Sequence, residues 1–447
     1  MLRLSSDYAI ENELIQVCSL FFDLESDNVN IECAFLENSP YVVVDGKFYY
    51  VNLAIDVTEK KFSRICKTEL YRVLSVHAGK KYPWGALTGV RPTKLGYEIL
   101  RSGGDVVSGL TAYEVSIEKA NVIKRIIDNQ GGYLPSLKKI NLYIHVPFCT
   151  SRCNYCSFVS LPTKNNEKLM ADYVDHLVME IKSGVETLEK GGYEVDSIYI
   201  GGGTPTALSV NLLDCVLDAI PYKNLEYTVE AGRPDTITKE KLDVMHRHGV
   251  TRISINPQTF SDKTLALIGR SHTAQDIINV YNMAKDKFII NMDLIAGLSG
   301  ENMADFKNTI AKTIELSPHN VTVHTLSRKN GSTLKNQRYK GGENVSEMVD
   351  EAYMLLTNAG YEPYYLYRQK NMLDNLENIG YAKKETFCAN NITTMEEFYS
   401  VFACGAGAIS KRLFDGNRIE RHANLRDVKL YIEQFEERLG KKTKFFL

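Results

Sequence analysis

The 447-residue chain is long enough for two or three domains, and its 44% hydrophobic and 24% charged residues are typical of a globular protein with a sizeable core. A formal net charge of −2 argues against non-specific binding of nucleic acid. The sequence holds no apolar run of about 18 residues and no signal-peptide core, so we expect no membrane span and a cytoplasmic location. Nine cysteines, three of them clustered, favour a reducing compartment over a disulfide framework.

The first 130 residues predict a small α+β domain. Two β-rich runs flank Asp45-Gly46, which is a strong hairpin signal. A loop-like stretch further on either packs as a connection or contributes Arg91 and Lys94 to an anion site. The Gly/Pro/Lys-rich segment 131–139 ends the domain. Helical spacing predicts helices over 11–24, 56–78 and 112–129.

From residue 140 to about 330, strands and helices alternate with a period of roughly 30 residues, the size of a β-α unit. Such alternation implies a parallel sheet. Six units fall short of the eight of a closed barrel, so we expect an α/β fold with an open, partial (β/α)6 barrel. The predicted strands cover 140–147, 196–201, 226–231, 252–257, 288–295 and 320–326. The predicted helices cover 166–189, 209–219, 238–248, 274–286 and 302–316.

The first of these strands leads into a cysteine-rich loop. The stretch 139–158, KINLYIHVPFCTSRCNYCSF, places Cys149, Cys153 and Cys156 within eight residues. Thiolates this close together suit an iron–sulfur cluster or a zinc ion. A structural zinc normally takes four protein ligands, for which His145 is the fourth candidate. Three cysteines on a cluster leave one iron open for another ligand.

Polar residues also follow the other predicted strands, at the edge where α/β folds place their sites. Glycines let the backbone approach a ligand, and an arginine can make a two-pronged contact with a carboxylate. A charge within a buried strand needs a partner or a ligand. Taken singly, each of these residues is more often part of a turn, a cap or a salt bridge. They are Gly201, Gly202, Gly203, Thr204, Glu230, Gln258, Arg270 and Asp293.

The pattern changes after residue 327. The tyrosine-rich stretch 364–371 is either a hydrogen-bonded aromatic loop or a lid whose Arg368 and Lys370, with Lys411, face acidic substrate groups. The charged segment 424–442 indicates a solvated amphipathic helix. We therefore expect an N-terminal α+β domain, the partial barrel and a mainly helical C-terminal cap that covers the substrate, over residues 1–130, 139–330 and 331–447.

The cysteine spacing CxxxCxYC after YIHVPFC resembles the signature of the radical S-adenosyl-L-methionine (SAM) superfamily, in its coproporphyrinogen dehydrogenase-like branch. The segments LTGVRPTK, YLYRQKNM, LENIGYAKK and GAGAISK resemble the Firmicute-type oxygen-independent coproporphyrinogen III dehydrogenases, which carry an extra N-terminal domain. The resemblance implies a [4Fe–4S] cluster held by Cys149, Cys153 and Cys156. It also implies SAM contacts from Tyr143, Tyr155, Gly202, Gly203, Thr204, Glu230, Gln258, Arg270 and Asp293.

The reaction implied by this resemblance is the oxidative decarboxylation of two propionates of coproporphyrinogen III to the vinyl groups of protoporphyrinogen IX. An electron from a cytosolic flavodoxin- or ferredoxin-like donor reduces the cluster, SAM is cleaved, and the 5′-deoxyadenosyl radical takes a hydrogen from the propionate. A tetracarboxylate porphyrinogen calls for arginines and lysines around the barrel mouth.

Two departures leave a second hypothesis open. Ser157 and Phe158 follow the third cysteine, where better-studied dehydrogenases often have a further cysteine, and this ending is shared with haem chaperones. The segments EAGRP and INPQTF also differ from the commoner ENP and GVQDF forms. The alternative is a haem-binding or haem-delivery protein that uses the cluster without this chemistry. Radical haem degradation and methyl transfer are further alternatives.

Overall fold

The computed structural model describes residues 2–6, 9–24, 27, 29–35, 40–51, 59–158, 160–327, 344–369 and 372–447. The chain forms two compact units, which are Met1–Asp128 with Leu366–Glu377 and Asn129–Tyr365 with Asn378–Leu447. The change of unit after residue 128 lies close to the predicted boundary at 131–139. The predicted third domain, 331–447, is divided between the two units. Among the described helices, none has the length and apolarity of a membrane span.

The N-terminal part of the chain is an α+β arrangement. Its strands are β1 (Leu2–Ser6), β2 (Ile31–Phe35), β3 (Tyr41–Val44) and β4 (Lys47–Tyr50). Its helices are α1 (Glu11–Phe21), α2 (Glu59–Ala78), α3 (Pro92–Arg101), α4 (Val106–Thr111) and α5 (Ile117–Asn129). The strands form one sheet in the order β1-β2-β3-β4. The predicted hairpin is present, with φ of 47° at Asp45 and 79° at Gly46, which is the mirror-image turn that suits twisted strands.

The segment Leu366–Glu377 belongs to the first unit, where a buried ion pair holds it. The Glu377 carboxylate accepts hydrogen bonds from Trp84 Nε1 and Lys119 Nζ, each at 2.7 Å. The side chain of Glu377 has no exposed surface, so the ammonium of Lys119 supplies the charge that keeps this carboxylate stable when it is buried.

Arg368 lies in the same segment and is 4% exposed. Its guanidinium donates to the main-chain oxygens of Leu87, Asn375 and Leu376. Burial lowers its pKa to about 10. Of the two alternatives for 364–371, these contacts favour the hydrogen-bonded loop for this residue over a lid in which Arg368 faces substrate. Lys370 lies outside the described residues.

The second unit is built on the six predicted strands. These are β5 (Lys139–Val146), β8 (Glu194–Gly202), β9 (Glu226–Val229), β10 (Arg252–Ser254), β11 (Ile289–Ala296) and β12 (Asn320–Thr325). Two short strands, β6 (Phe148–Cys149) and β7 (Leu161–Pro162), pair with each other after β5. The six predicted strands are parallel, in the order β12-β11-β10-β9-β8-β5. Their carboxyl ends therefore meet at one edge, and the arrangement is open, as predicted.

The connecting helices are α6 (Glu167–Lys190), α7 (Val210–Asp218), α8 (Lys239–Arg247), α9 (Asp262–Leu267), α10 (Ala274–Ala284) and α11 (Met303–Leu316). Several begin at a polar cap whose side-chain oxygen accepts a hydrogen bond from a first-turn N–H. Asn302 and Thr273 form full capping boxes with Asp305 and Asp276. Aliphatic residues of the sheet form one core with α6, α7, α8 and α10. The short α9 was not predicted.

The C-terminal part supplies four helices among the described residues, and also five strands that the sequence did not indicate. The helices are α12 (Val345–Asn358), α13 (Ala389–Met395), α14 (Val428–Glu433) and α15 (Phe435–Phe446). The strands are β13 (Glu362–Tyr367), β14 (Asn378–Ala382), β15 (Ser400–Cys404), β16 (Ile409–Leu413) and β17 (Ile419–Ala423). They extend the sheet to the order β13-β14-β12-β11-β10-β9-β8-β5-β15-β16-β17, so this region is more than a cap.

The expectation of a solvated helix over 424–442 is wrong. Tyr431 and Phe446 are buried in the core, and Lys442 is 1% exposed. The Lys442 Nζ donates to Glu180 Oε1 at 2.6 Å, and the Tyr431 hydroxyl donates to Glu180 Oε2 at 2.7 Å. Burial opposes ionisation of Glu180, but Lys442 holds its pKa below the ordinary value. The charges of this segment are in part structural.

Candidate functional site

Strand β5 carries the cysteine loop to the carboxyl edge of the sheet. Leu142, Ile144 and Val146 point into the core and have no exposed surface. Tyr143 and His145 lie on the opposite face, with the tyrosine hydroxyl 3.0 Å from His145 Nδ1. The alternation that defined the strand therefore places two polar side chains beside the cysteine loop.

Cys149, Cys153 and Cys156 lie in this one loop, and Cys153 is the most buried of the three. Burial raises the pKa of Cys156, and the neighbouring Cys153 and Cys149 raise it further. Within the described ranges, no three Cys, His, Asp or Glu side chains gather closely enough to hold a single ion. The ligands of a [4Fe–4S] cluster need not lie as close together, because each cysteine binds a different iron. The zinc alternative with His145 therefore gains no support.

The glycine-rich turn after β8 packs directly beneath the cysteine loop. Gly202 has a φ of +114°, and a β-carbon there would lie 2.8 Å from the imidazole of His145. A β-carbon on Gly203 would lie 2.3 Å from the carbonyl oxygen of Phe148. The Thr204 N–H donates to the same oxygen at 2.7 Å. The glycines are therefore required for close packing. Because they have no side chains, a ligand in the site can approach the backbone of this turn directly.

The Thr204 side chain also reaches the cysteine loop. Its Oγ1 lies 3.3 Å from Cys149 Sγ, which is hydrogen-bonding distance for a sulfur. A hydroxyl in this position can donate to a thiolate and stabilise its negative charge. This contact places Thr204 beside the first cysteine, in addition to its predicted place next to SAM.

Glu230 follows β9 and carries the most perturbed carboxyl group of the site. It accepts hydrogen bonds from the Tyr199 hydroxyl at 2.5 Å and from the Gly202 N–H at 3.3 Å. Burial raises the pKa of Glu230 to about 7, the Tyr199 hydrogen bond opposes this rise, and nearby Asp293 adds to it. Donors from a bound ligand would favour the ionised carboxylate. Sequence reasoning identified Glu230 and missed Tyr199, whose strand position before the glycine turn was the available signal.

Asp293 and Gln258 are joined through the backbone. The N–H of Gln258, which has a φ of 66°, donates to the Asp293 carbonyl oxygen at 2.9 Å. The Asp293 carboxylate accepts from Asn291 Nδ2 at 2.8 Å and lies 3.6 Å from His324 Nε2. Burial opposes ionisation of Asp293, but His324 and its hydrogen bonds keep its pKa below the ordinary value. The buried charge predicted here therefore has partners within the protein.

Arg270 and Tyr155 lie together on the other side of the cysteine loop. Arg270 Nη2 donates to the Tyr155 hydroxyl at 2.9 Å, and Nη1 donates to the Gly232 oxygen at 2.9 Å. The buried Nε of Arg270 and both ring nitrogens of His272 find no hydrogen-bond partner among the described residues. Burial and the charge of Arg270 lower the pKa of His272 to about 4. Buried polar atoms without partners are rare, and at this edge they fit a polar ligand.

The loop after β9 also contributes two residues that sequence reasoning missed. Arg233 is buried next to Cys153, and Asp235 binds its guanidinium. The signal available in the sequence was their place in EAGRPD, directly after Glu230. All nine predicted SAM-contacting residues and the three cysteines lie in the carboxyl-terminal halves of the parallel strands or in the segments that follow them, in one unit. Their individual contacts with SAM stay predictions.

The chain is similar to known radical SAM proteins. The radical SAM superfamily matches residues 143–313. The chain is 36% identical to the oxygen-independent coproporphyrinogen-III oxidase-like protein HemZ of Bacillus subtilis, over 98% of this chain and 94% of that protein. It is 31% identical to the heme chaperone HemW of Escherichia coli, over 65% of this chain and 75% of that protein.

Among solved structures, the fold is similar to coproporphyrinogen III oxidase HemN of Escherichia coli, a radical SAM enzyme. The TM-score is 0.56 at 21% identity, over 72% of this chain and 73% of that one. The cofactors of such a protein are a [4Fe–4S] cluster and SAM, and the three cysteines, the bare glycine turn and the unpartnered buried nitrogens fit them. The chain belongs to the radical SAM superfamily, in the oxygen-independent coproporphyrinogen-III oxidase-like family.

Proposed function

We propose that the protein catalyses the oxygen-independent oxidative decarboxylation of coproporphyrinogen III to protoporphyrinogen IX in haem biosynthesis. The observation that carries the proposal is the similarity to HemZ over 98% of this chain, which includes the first unit as well as the radical SAM region. The similarity to HemW of Escherichia coli covers 65% of the chain. The fold shared with HemN supports the same assignment at the level of architecture.

The proposed reaction balances for each propionate. The side chain loses one hydrogen atom from the carbon next to the macrocycle, then carbon dioxide and one electron, and a vinyl group remains. When bound, the cluster and SAM supply the 5′-deoxyadenosyl radical that takes the hydrogen atom, and one SAM and one electron are consumed. We propose a flavodoxin- or ferredoxin-like cytosolic donor for that electron. A separate one-electron acceptor takes the electron released with carbon dioxide.

The chain's own residues hold and aim these groups. Cys149, Cys153 and Cys156 would bind the cluster and leave one iron open for SAM. The backbone at 202–204 would let the methionine end of SAM approach closely. Glu230, which is held by the Tyr199 hydroxyl, would accept hydrogen bonds from the ribose hydroxyls. Tyr143, Tyr155, Gln258, Arg270 and Asp293 line the same edge as further SAM contacts.

A second candidate function is haem binding or haem delivery. The 31% identity to the heme chaperone HemW of Escherichia coli favours it, as does the Ser157-Phe158 ending after the third cysteine. A carrier would keep the cluster and SAM site but would not turn over a porphyrinogen. The two functions therefore predict different responses to coproporphyrinogen III.

The test is release of 5′-deoxyadenosine by anaerobically reconstituted protein, with reductant and SAM, in the presence and absence of coproporphyrinogen III. Strong stimulation by this compound, with formation of vinyl products, is the expected result. If 5′-deoxyadenosine is released slowly and at the same rate with and without coproporphyrinogen III, and the same preparation binds haem tightly, the protein is a haem carrier instead. The Cys153→Ala variant measures background release.

A further inference from the structure

Arg233 is a buried cation without an assigned role in SAM binding. It lies three residues after Glu230, at the carboxyl edge of the sheet, and is 2% exposed. Its Nε donates to Asp235 Oδ1 at 3.0 Å and its Nη2 donates to Asp235 Oδ2 at 2.9 Å. This two-pronged ion pair fixes the plane of the guanidinium, because both atoms of the carboxylate are engaged.

The fixed guanidinium leaves its third nitrogen pointing at a cysteine. Arg233 Nη1 donates to Cys153 Sγ at 3.7 Å, within the range of a hydrogen bond to sulfur. Its Nη2 also donates to Ser271 Oγ at 3.2 Å. Since the side chain cannot swing out to solvent, the N–H···S contact is held by the packing around it.

The same pair is also tied to the beginning of the cysteine loop. Thr150 Oγ1 donates to Asp235 Oδ2 at 3.4 Å, and Thr150 directly follows Cys149. The segment is also tied to the chain after β8, because Thr206 and Thr236 share a hydrogen bond at 2.7 Å and Thr236 Oγ1 donates to the Arg233 carbonyl oxygen at 2.7 Å. One short segment after β9 therefore contacts the cysteine loop at two points.

We propose that Arg233 is a positioning residue of the cluster, whose N–H···S hydrogen bond to Cys153 raises the reduction potential of the [4Fe–4S] centre. Reduction adds a negative charge that spreads over the cysteine sulfurs, and a hydrogen-bond donor at a sulfur stabilises that added charge. The pairing with Asp235 keeps the net charge of the segment near zero, so the directed N–H carries the effect. The inference depends on the cluster and not on the identity of the substrate.

The test is a potential measured on reconstituted, full-length protein without porphyrinogen. The double variant Arg233→Gln/Asp235→Asn removes the N–H···S donor and avoids leaving Asp235 as an unpaired charge. At a fixed ambient potential we expect its ratio of reduced to oxidised cluster to fall about tenfold, which is about 59 mV for a one-electron couple. Arg247→Gln, which removes an exposed arginine from helix α8, is the matched control and should leave the ratio unchanged.

An unchanged midpoint potential in a double variant with full iron content would overturn the proposal. If that variant fails to keep its cluster, Arg233→Lys decides, since a lysine retains the charge but lacks the planar fork that aims the donor. A lowered ratio in Arg233→Lys supports the proposal, and a wild-type ratio there overturns it. Because the titration uses no porphyrinogen, failure of the decarboxylation assay leaves this result standing, and the reverse also holds.

Discussion

Arg252 and Arg270 lie at opposite edges of the same parallel sheet, the first at the start of β10 and the second beyond its end. They differ in their ion-pair partners. At the amino edge, Arg252 donates to Glu226 Oε2 at 3.3 Å and to the main-chain oxygens of Thr386 and Phe387 at 3.0 and 3.2 Å. At the carboxyl edge, Arg270 has no carboxylate within ion-pair distance among the described residues. We therefore expect its charge to be available to a ligand.

The acidic groups repeat this contrast. Glu226 at the amino edge accepts from the N–H groups of Ala389 and Asn390, both at 2.9 Å, and so caps helix α13. Glu230 at the carboxyl edge has a pKa raised to about 7 by burial. Arg252 and Glu226 at the amino edge are thus paired with each other, whereas Arg270 and Glu230 at the carboxyl edge have no ion-pair partner among the described residues. The carboxyl edge is where β/α barrels place their sites.

The largest effect should come from the cysteine loop. Cys153→Ala removes one of the three thiolates, so we expect iron content and SAM cleavage to fall by more than about 100-fold, since even changes to residues behind the ligands lower metal affinity or activity by up to that much. The thermal unfolding midpoint of the metal-free protein should barely move. Cys215→Ala, at an exposed cysteine of α7, is the control. Full activity in Cys153→Ala would contradict the assignment of this loop.

At the amino edge, Arg252→Gln should cost stability without touching the site. Breaking a buried pair leaves an uncompensated charge, here Glu226, so we expect the free energy of unfolding to fall by about 3–5 kcal/mol. Urea titration of the metal-free protein measures it. The exposed pair of Arg247 and Asp214 gives the comparison, because Arg247→Gln should cost about 1 kcal/mol or less. Equal costs for both variants would refute the contrast between buried and exposed pairs.

Glu230 makes stability depend on pH. Because its folded pKa is raised to about 7, the folded state keeps a proton that the unfolded chain releases near 4.5, and stability is lost as the pH rises through about 7. Glu230→Gln removes this loss. We expect the variant to gain up to about 3 kcal/mol over the wild type at pH 8 and little at pH 5. Denaturant unfolding of the metal-free proteins at both pH values is the measurement, and a pH-independent difference would disprove it.

The smallest effect concerns the affinity for SAM. Glu230→Gln retains an oxygen acceptor but loses the charge, so hydrogen bonds from ribose hydroxyls weaken, and we expect the Kd for SAM to rise about tenfold, or about 1.4 kcal/mol. Equilibrium binding to the reconstituted protein checks this. Arg252→Gln is the control from the other edge and should bind SAM with wild-type affinity. A wild-type Kd in Glu230→Gln would remove this residue from the SAM site.

The parallel core of the fold could be predicted because each strand carries its own signal. Alternation in β5 and apolar runs in the other five strands are local patterns, and the polar residues follow their carboxyl ends directly. The same logic places Glu230 at a strand end, whereas Arg270 lies beyond α9 and its predicted place in the site came from the family resemblance. Arg233 and Tyr199 are harder to find, because nothing local distinguishes a guanidinium that reaches a sulfur from one in an ordinary salt bridge.

The C-terminal part was less predictable for a physical reason. Lys442 forms an ion pair with Glu180, which lies 262 residues earlier in the sequence. No local pattern shows such a partner, so the charged helix was predicted to be solvated although its lysine is buried. Arg368 likewise takes its acceptors from Leu87 as well as from its own segment. Strands β13 and β14 contain tyrosines, and strands β16 and β17 contain several charged residues, and neither local pattern separates a strand from a loop.

The neighbours of β5 have a consequence for how this protein is made. The strand pairs with β8 on one side and with β15 on the other, and Ser400 of β15 lies opposite Ile140. During translation, β5 therefore has one edge without a partner until β15 has been synthesised. An unpaired strand edge is an aggregation hazard, and in this chain that hazard ends only when β15 pairs with β5.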